Sequence, residues 1–295
     1  MKSNGTLPPL VDVKAENIEF LAVNGYFEGD FPDAKKLKET DSLFRKATAA
    51  FQELSGLVPT GDFDAVARVR ATEKRCALPD MNRGFVRKGG RWVEWSVESA
   101  CTRKWAVKTL TCTHQNMSFS TMSAADTHKA WWAAKLSVME VCGLILKHVP
   151  WGGPGSANLY HMVKAIDGGS GVLAYHYLPG CGEPGTSALE GRFDTGERWT
   201  PKFFQGVCCH EDLHGFGLDH DTDPKSLMYP YANSNIVTPQ SRDTSRLVDR
   251  YGRPLNPPPG PTPEPPMSLA HRMLRAEVRL DMHEILLDQI LNGRR

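Results

Sequence analysis

Residues 210–220 read His210-Glu211-Asp212-Leu213-His214-Gly215-Phe216-Gly217-Leu218-Asp219-His220, the pattern H-E-x-x-H-x-x-G-x-x-H. On a helix His210 and His214 lie one turn apart, so both imidazoles leave one face and can grip one ion. Gly217 lets the chain leave the helix with positive φ, and the turn returns His220 as a third ligand. Three protein ligands leave a fourth position open, which a catalytic rather than a structural zinc needs. Glu211, next to the ligand face, is placed to take a proton from water at that position. A surface helix that merely carries histidines has no need of this spacing.

The elements that must hold these residues follow from hydrophobic periodicity. Glu16 to about Glu73 reads as helical, with Leu37, Leu43, Phe44, Ala47 and Phe51 at helix-like intervals. Pro59-Thr60-Gly61-Asp62 is a turn signal, and Asp62 is the expected cap of a further helix through Val69, completing a three-helix bundle. Asn82 to Gly90 reads as an exposed linker and Trp105 to Thr113 as a strand. A helix capped by Ser123 should run to about Val141, with a strand at Leu173–Leu178. The zinc helix should span about Pro201 to Gly215, and a last helix about Gln240 to Tyr251. Pro254 to Pro266 holds eight prolines in thirteen residues, a stiff spacer. Met267 to Leu291 is a final helix candidate with an apolar stripe, read as a docking or self-association helix.

Composition sets the bounds. The chain has 295 residues, with 35 basic against 34 acidic side chains, so charge gives no case for nucleic acid. No apolar run reaches membrane-spanning length, so no transmembrane segment is expected. Met1 to Leu10 lacks the apolar core of a signal peptide, which leaves either another route or a start further upstream. Seven cysteines leave at least one thiol unpaired, and adjacent Cys208-Cys209 cannot bridge without strain.

Ser226-Leu227-Met228-Tyr229-Pro230, soon after His220, resembles the Met-turn of the metzincins, in which the methionine floors the zinc site. With it the chain resembles the matrixins, zinc endopeptidases made with a propeptide. Phe20-Leu21-Ala22-Val23-Asn24-Gly25-Tyr26 is similar to the opening helix of that propeptide. Phe51-Gln52, Gly56-Leu57 and Thr60-Gly61 follow its peptidoglycan-binding-like repeat, F-Q-x-x-x-G-L-x-x-T-G. Arg75-Cys76-Ala77-Leu78-Pro79-Asp80 resembles the cysteine switch, P-R-C-G-x-P-D, with Lys74 and Ala77 in place of proline and glycine. Lys104-Trp105 with Leu110-Thr111, Phe193 to Thr200 and Asp243 to Gly252 resemble further parts of the catalytic domain.

The resemblance implies an α+β fold: a metzincin-type domain of mixed twisted sheet plus three helices, preceded by a small helical peptidoglycan-binding-like prodomain. The expected layout is a flexible lead (1–16), prodomain with switch (17–80), activation linker (81–100), catalytic domain (101–252), proline-rich spacer (253–266) and C-terminal tail (267–295). It implies zinc on His210, His214 and His220, with Cys76 as the fourth ligand in a latent form and Glu211 as the base. It implies calcium at a loop of Asp167, Gly168, Ser170 and Val172, joined by Asp194 and Glu197, since oxygen-only ligation suits that ion. The family's second zinc is not expected, because its histidines would fall at Tyr175 and Arg192. Protein or peptide substrates would lie along the Leu173–Ala174 strand edge. Gly206, Pro230, Tyr231 and Ala232 would line the pocket for the residue after the cut. The family is extracellular, so secretion is the implied location. Two other readings stay open: a non-catalytic binder using the bundle, and an adamalysin-type protease suggested by Asp221.

Overall fold

A computed structural model describes residues 13–27, 37, 41–81, 83–88, 91–96, 103–169, 171–180 and 188–254. Ser170, Cys101, Cys181 and the 267–291 segment lie outside the described residues.

Three helices form first: α1 (Val13–Val23), α2 (Ser42–Leu54) and α3 (Ala65–Ala71). Helix α1 begins inside the stretch expected to be a flexible lead. Helix α2 buries Phe44, Ala47, Thr48, Phe51 and Gln52, the three-and-four spacing of one helical face. Phe51 stacks on Phe63 at 5.5 Å, and Phe20 meets Phe51 edge-on at 5.0 Å. The F-Q-x-x-x-G-L-x-x-T-G repeat has a local cause. Buried Gln52 donates to the Asp62 carbonyl at 2.8 Å and accepts from the Gly61 N–H at 2.9 Å, tying the turn to the helix. Gly61 has φ 76°, and a Cβ there would sit 2.9 Å from the Arg45 carbonyl oxygen. Asp62 does not cap α3. It pairs with Arg45, and Asp64 accepts from the Ala67 N–H instead.

The expected linker carries structure. Strands β2 (Arg83–Lys88) and β3 (Arg91–Ser96) pair antiparallel with Lys88 opposite Arg91. The two residues between them are Gly89-Gly90, a hairpin signal that the glycine content disguised as a linker.

A six-stranded mixed sheet runs in the order β1-β7-β8-β6-β4-β5. It comprises β1 (Arg75–Cys76), β4 (Thr109–His114), β5 (Ile145–His148), β6 (Leu159–Lys164), β7 (Val172–His176) and β8 (Leu189–Asp194). Only β7 runs antiparallel to its neighbour β8. The switch segment, as β1, pairs parallel with β7 and so supplies the outermost strand.

Helices α4 (Ala124–Met139), α5 (Pro201–Gly215) and α6 (Ser241–Tyr251) complete the domain. Ser123 caps α4, accepting from the Asp126 N–H. The strand expected from Trp105 begins only at Thr109, because Trp105 serves the end of α5. Its indole N–H donates to the Gly215 carbonyl at 2.8 Å, filling an acceptor that the helix terminus leaves open.

Helix α5 is buried almost throughout from Phe204 to Gly215, so even its polar positions need partners. Asp212 finds Lys135 of α4 at 2.7 Å, and His161 Nε2 of β6 lies 3.2 Å away. Burial alone would raise the Asp212 carboxyl, but Lys135 and His161 hold it below its usual value. Lys135→Met should therefore cost about 3–5 kcal/mol by stranding a buried carboxylate. The double change with Asp212→Leu should recover most of that loss. Urea denaturation of the single and double variants measures both.

Candidate metal centre and active site

Helix α5 ends in a Schellman turn: Leu218 N–H bonds the Leu213 carbonyl and Gly217 N–H the His214 carbonyl. Gly217 has φ 89°, and a Cβ there would sit 1.9 Å from the Arg103 carbonyl oxygen. This reversal carries His220 back to His210 and His214. The four ligand atoms of Cys76, His210, His214 and His220 lie within 4.8 Å of one another.

The spacings suit one tetrahedral ion. Zinc–nitrogen bonds of about 2.05 Å and a zinc–sulfur bond of about 2.3 Å give edges of roughly 3.3 and 3.6 Å. His210 Nε2 and His214 Nε2 are 3.1 Å apart, and Cys76 Sγ lies 3.6 Å from His214 Nε2. Each ring is oriented from behind. The Nδ1–H of His210, His214 and His220 donates to the carbonyls of Leu227, Leu218 and Pro79 at 2.7, 2.7 and 3.1 Å. The Nε2 lone pairs thus face the common centre, and His220 Nε2 is a buried atom with no hydrogen-bond partner. Burial pushes His210 down to about 4 and lowers His214 and His220 too, the latter pair also disfavoured by the neighbouring imidazoles. Neutral imidazoles are what a metal requires. The donor set fits zinc.

Glu211 is fully buried, with Oε2 3.6 Å from the Cys76 sulfur, and burial pushes its carboxyl up to about 8. Met228 is fully buried in the turn beside His210. That turn hangs on Asp243, which the motif reading did not single out. Its carboxylate accepts from the Ser226 hydroxyl and, at 2.8 Å each, from the Leu227 and Gln240 N–H groups. The signal was present: Gln240 and Asp243 form the capping box of α6. Asp221 accepts from Arg242 at 3.0 Å, which gives it a structural task facing α6.

The Lys74–Ala77 segment lies between β7 and residues 230–232. Arg75 N–H bonds the Gly171 carbonyl at 2.7 Å and Ala77 N–H the Ala174 carbonyl at 2.9 Å. On its other side Cys76 N–H bonds the Pro230 carbonyl, and Ala232 N–H bonds the Lys74 carbonyl. Arg75 and Asp80 form a buried ion pair, and Tyr26 donates to Asp80. Leu173, Gly206, Pro230, Tyr231 and Ala232 line a pocket with Cys76, His210 and Glu211. Ala174 contributes its carbonyl to the strand edge and not its side chain to that pocket. A Cβ on Gly206 would press to 3.1 Å on Val237 and the Ile236 carbonyl, so glycine lets that wall close.

At the glycine loop Asp167 accepts from the Val172 N–H at 3.0 Å, and Asp194 accepts from the Asp167, Gly168 and Gly196 N–H groups. Burial would raise Asp194, but these backbone bonds and one from Ile166 lower it. Glu197 pairs through one oxygen with Lys74, while its other oxygen is buried without a hydrogen-bond partner. Lys74, the departure from the family's proline, thus links the switch to this loop. Among the described residues the three carboxylates do not converge as closely as the donors at the histidines. His161 and His176 are buried in the core, their rings 5.3 Å apart, and neither belongs to the histidine–cysteine group. Tyr175 and Arg192 stand opposite each other across β7 and β8. The described cysteines 76, 112, 142, 208 and 209 are buried free thiols.

A mixed sheet, a central helix bearing two histidines, a glycine turn returning the third and a buried methionine turn beside them define a metzincin-type catalytic domain. The particular family follows from comparison. Residues 157–252 match the matrixin family model, the family that the motifs resemble. The chain is 27% identical over 263 residues to macrophage metalloelastase of Rattus norvegicus, covering 84% of this chain and 52% of that protein. It is 26% identical over 281 residues to matrix metalloproteinase-C of Caenorhabditis elegans, covering 85% and 45%. With the hatching enzyme of Paracentrotus lividus it shares 26% over 234 residues, covering 74% and 36%. The chain spans about half the length, or less, of the curated relatives it matches. The cofactors of this family are zinc and calcium. Among the described residues no helix is long and apolar enough to cross a membrane.

Proposed function

We propose that the chain is a zinc-dependent endopeptidase that cleaves internal peptide bonds of extracellular proteins and is made as a latent zymogen. The observation that carries this reading is the convergence of three histidine Nε2 atoms and the Cys76 sulfur, with Glu211 beside them. In it, residues 17–80 are the prodomain, 81–100 the activation segment and 101–252 the catalytic domain.

His210, His214 and His220 would hold the zinc, which when bound supplies a Lewis acid that polarises the scissile carbonyl and acidifies water. Glu211 takes the proton of the attacking water and returns it to the leaving amine. Its raised pKa suits a group that must both accept and release a proton near neutrality, and a nearby dication draws it back down. Once β1 leaves, the Gly171 and Ala174 carbonyls and the Pro230–Ala232 segment are free to bond an extended peptide from both sides. The Leu173, Gly206 and Tyr231 pocket then receives the side chain after the cut. A fluorogenic peptide assay on the full chain and on a truncated chain starting near Arg91, with and without chelator, tests the reading. Chelator-insensitive cleavage, or none from the truncated chain, would overturn it.

Calcium belongs to the same reading, at Asp167, Asp194 and Glu197 with carbonyls of Gly168, Ser170 and Val172. The unpartnered buried oxygen of Glu197 supports a cation there. At one hundred times its dissociation constant, calcium should stabilise by about 2.7 kcal/mol, raising the melting temperature by roughly 5 °C. Differential scanning calorimetry of zinc-loaded protein with and without calcium checks this, and an unchanged midpoint counts against the site.

A further inference from the structure

His114, His128 and His148 come from three elements: the last residue of β4, the start of α4 and the last residue of β5. Parallel pairing of β4 with β5 sets Cys112 opposite His148, so His114 lies two residues beyond the end of β5 on the neighbouring strand. One nitrogen from each ring lies within 4.8 Å of the other two. His128 Nδ1–H donates to His114 Nε2 at 2.8 Å, a proton that a bound ion would displace, while His114 Nδ1–H donates to the Gln115 carbonyl at 2.5 Å. That is the tautomer and second-shell bond a metal-ligating histidine uses. The His114 and His148 rings lie nearly parallel, 6.1 Å between centroids. Trp131 packs against all three, at 4.6, 5.8 and 5.3 Å, and forms an apolar wall behind them. All three histidines are half-buried.

We propose that His114, His128 and His148 form a second transition-metal site, taking zinc or a similar imidazole-seeking dication. An all-imidazole set selects zinc, copper or nickel over calcium or magnesium. The 2.8 Å edge between His114 and His128 is shorter than the roughly 3.3 Å of a tetrahedral zinc site, so His128 must swing outward by about half an ångström. An ion here would tie the ends of β4 and β5 to α4. The site shares no residue with the His210 group and stands whether or not the proteolytic reading holds.

The test is the zinc stoichiometry of the full chain, by elemental analysis after dialysis at micromolar free zinc. Wild type should retain two equivalents, and His128→Gln with His148→Gln should retain one. His210→Gln with His214→Gln should also retain one, which separates the two sites. One equivalent in wild type overturns the proposal, as does an unchanged two in the His128/His148 variant. If that variant does not fold, calorimetric titration of zinc-stripped wild type decides: two binding events support the site and a single event refutes it.

Discussion

Glu211→Ala is expected to lower kcat/KM for peptide cleavage by the activated chain by on the order of 10²–10⁴-fold, the usual worth of a general base. Zinc content should stay at the wild-type level, because the three histidines and their carbonyl partners are untouched. The side chain is buried beside the switch thiol, and Asp212, its only carboxylate neighbour in sequence, is committed to Lys135. Among the described residues the metal-ligand group contains no carboxylate that could replace it. Cleavage kinetics with metal analysis on the same sample check the expectation. Comparable turnover with full zinc would remove Glu211 from its role.

The second large effect concerns latency. Cys76→Ser should raise the initial rate of the uncut full chain by roughly two to three orders of magnitude, as losing about 2.7–4 kcal/mol of preference for the closed state would. The thiol is pushed well above its usual range by burial and by the Glu211 charge, so without a metal it is protonated and a poor ligand. A dication is what makes the thiolate stable there, and a serine hydroxyl ligates far more weakly. The latch has further parts that serine leaves intact: the Arg75–Asp80 pair, the Lys74–Glu197 pair and the backbone bonds of β1. The variant should therefore gain activity while its bundle stays docked, and cutting between Asn82 and Gly90 should add to it. Equal initial rates for wild type and Cys76→Ser on a fluorogenic peptide would show that the thiol is not the lock.

Further contacts join the helical bundle to residues 229–231. Tyr231, read from sequence as pocket wall, and Tyr229 of the methionine turn are buried with the aromatic core of the helical bundle, and the Tyr229 hydroxyl donates to the Leu54 carbonyl at 2.9 Å. Departure of the bundle would expose both rings at the pocket mouth. Arg75 stacks over Tyr231, 5.1 Å from the ring centroid, and adds to that interface.

What the sequence determined by itself is what local geometry dictates. Helical periodicity places His210 and His214 on one face, and a glycine with φ 89° must follow where the chain turns to His220. The Ser123 cap, the α5 span and the Gln52–Gly61 turn are likewise short-range, and they were legible. Tertiary structure decided what depends on residues distant in the chain. Trp105 was drawn out of a strand because a helix 110 residues away offers its indole a carbonyl. Asp212, an exposed-looking acid inside a motif, is buried because Lys135 approaches from α4. Asp243 supports the methionine turn across 16 residues, and Lys74 reaches Glu197 across 123. Three histidines from β4, α4 and β5 meet only because two parallel strands bring their C-terminal ends near the start of a helix. Buried polar groups must find partners wherever the fold brings them, and periodicity along the chain carries no record of which distant residue that will be.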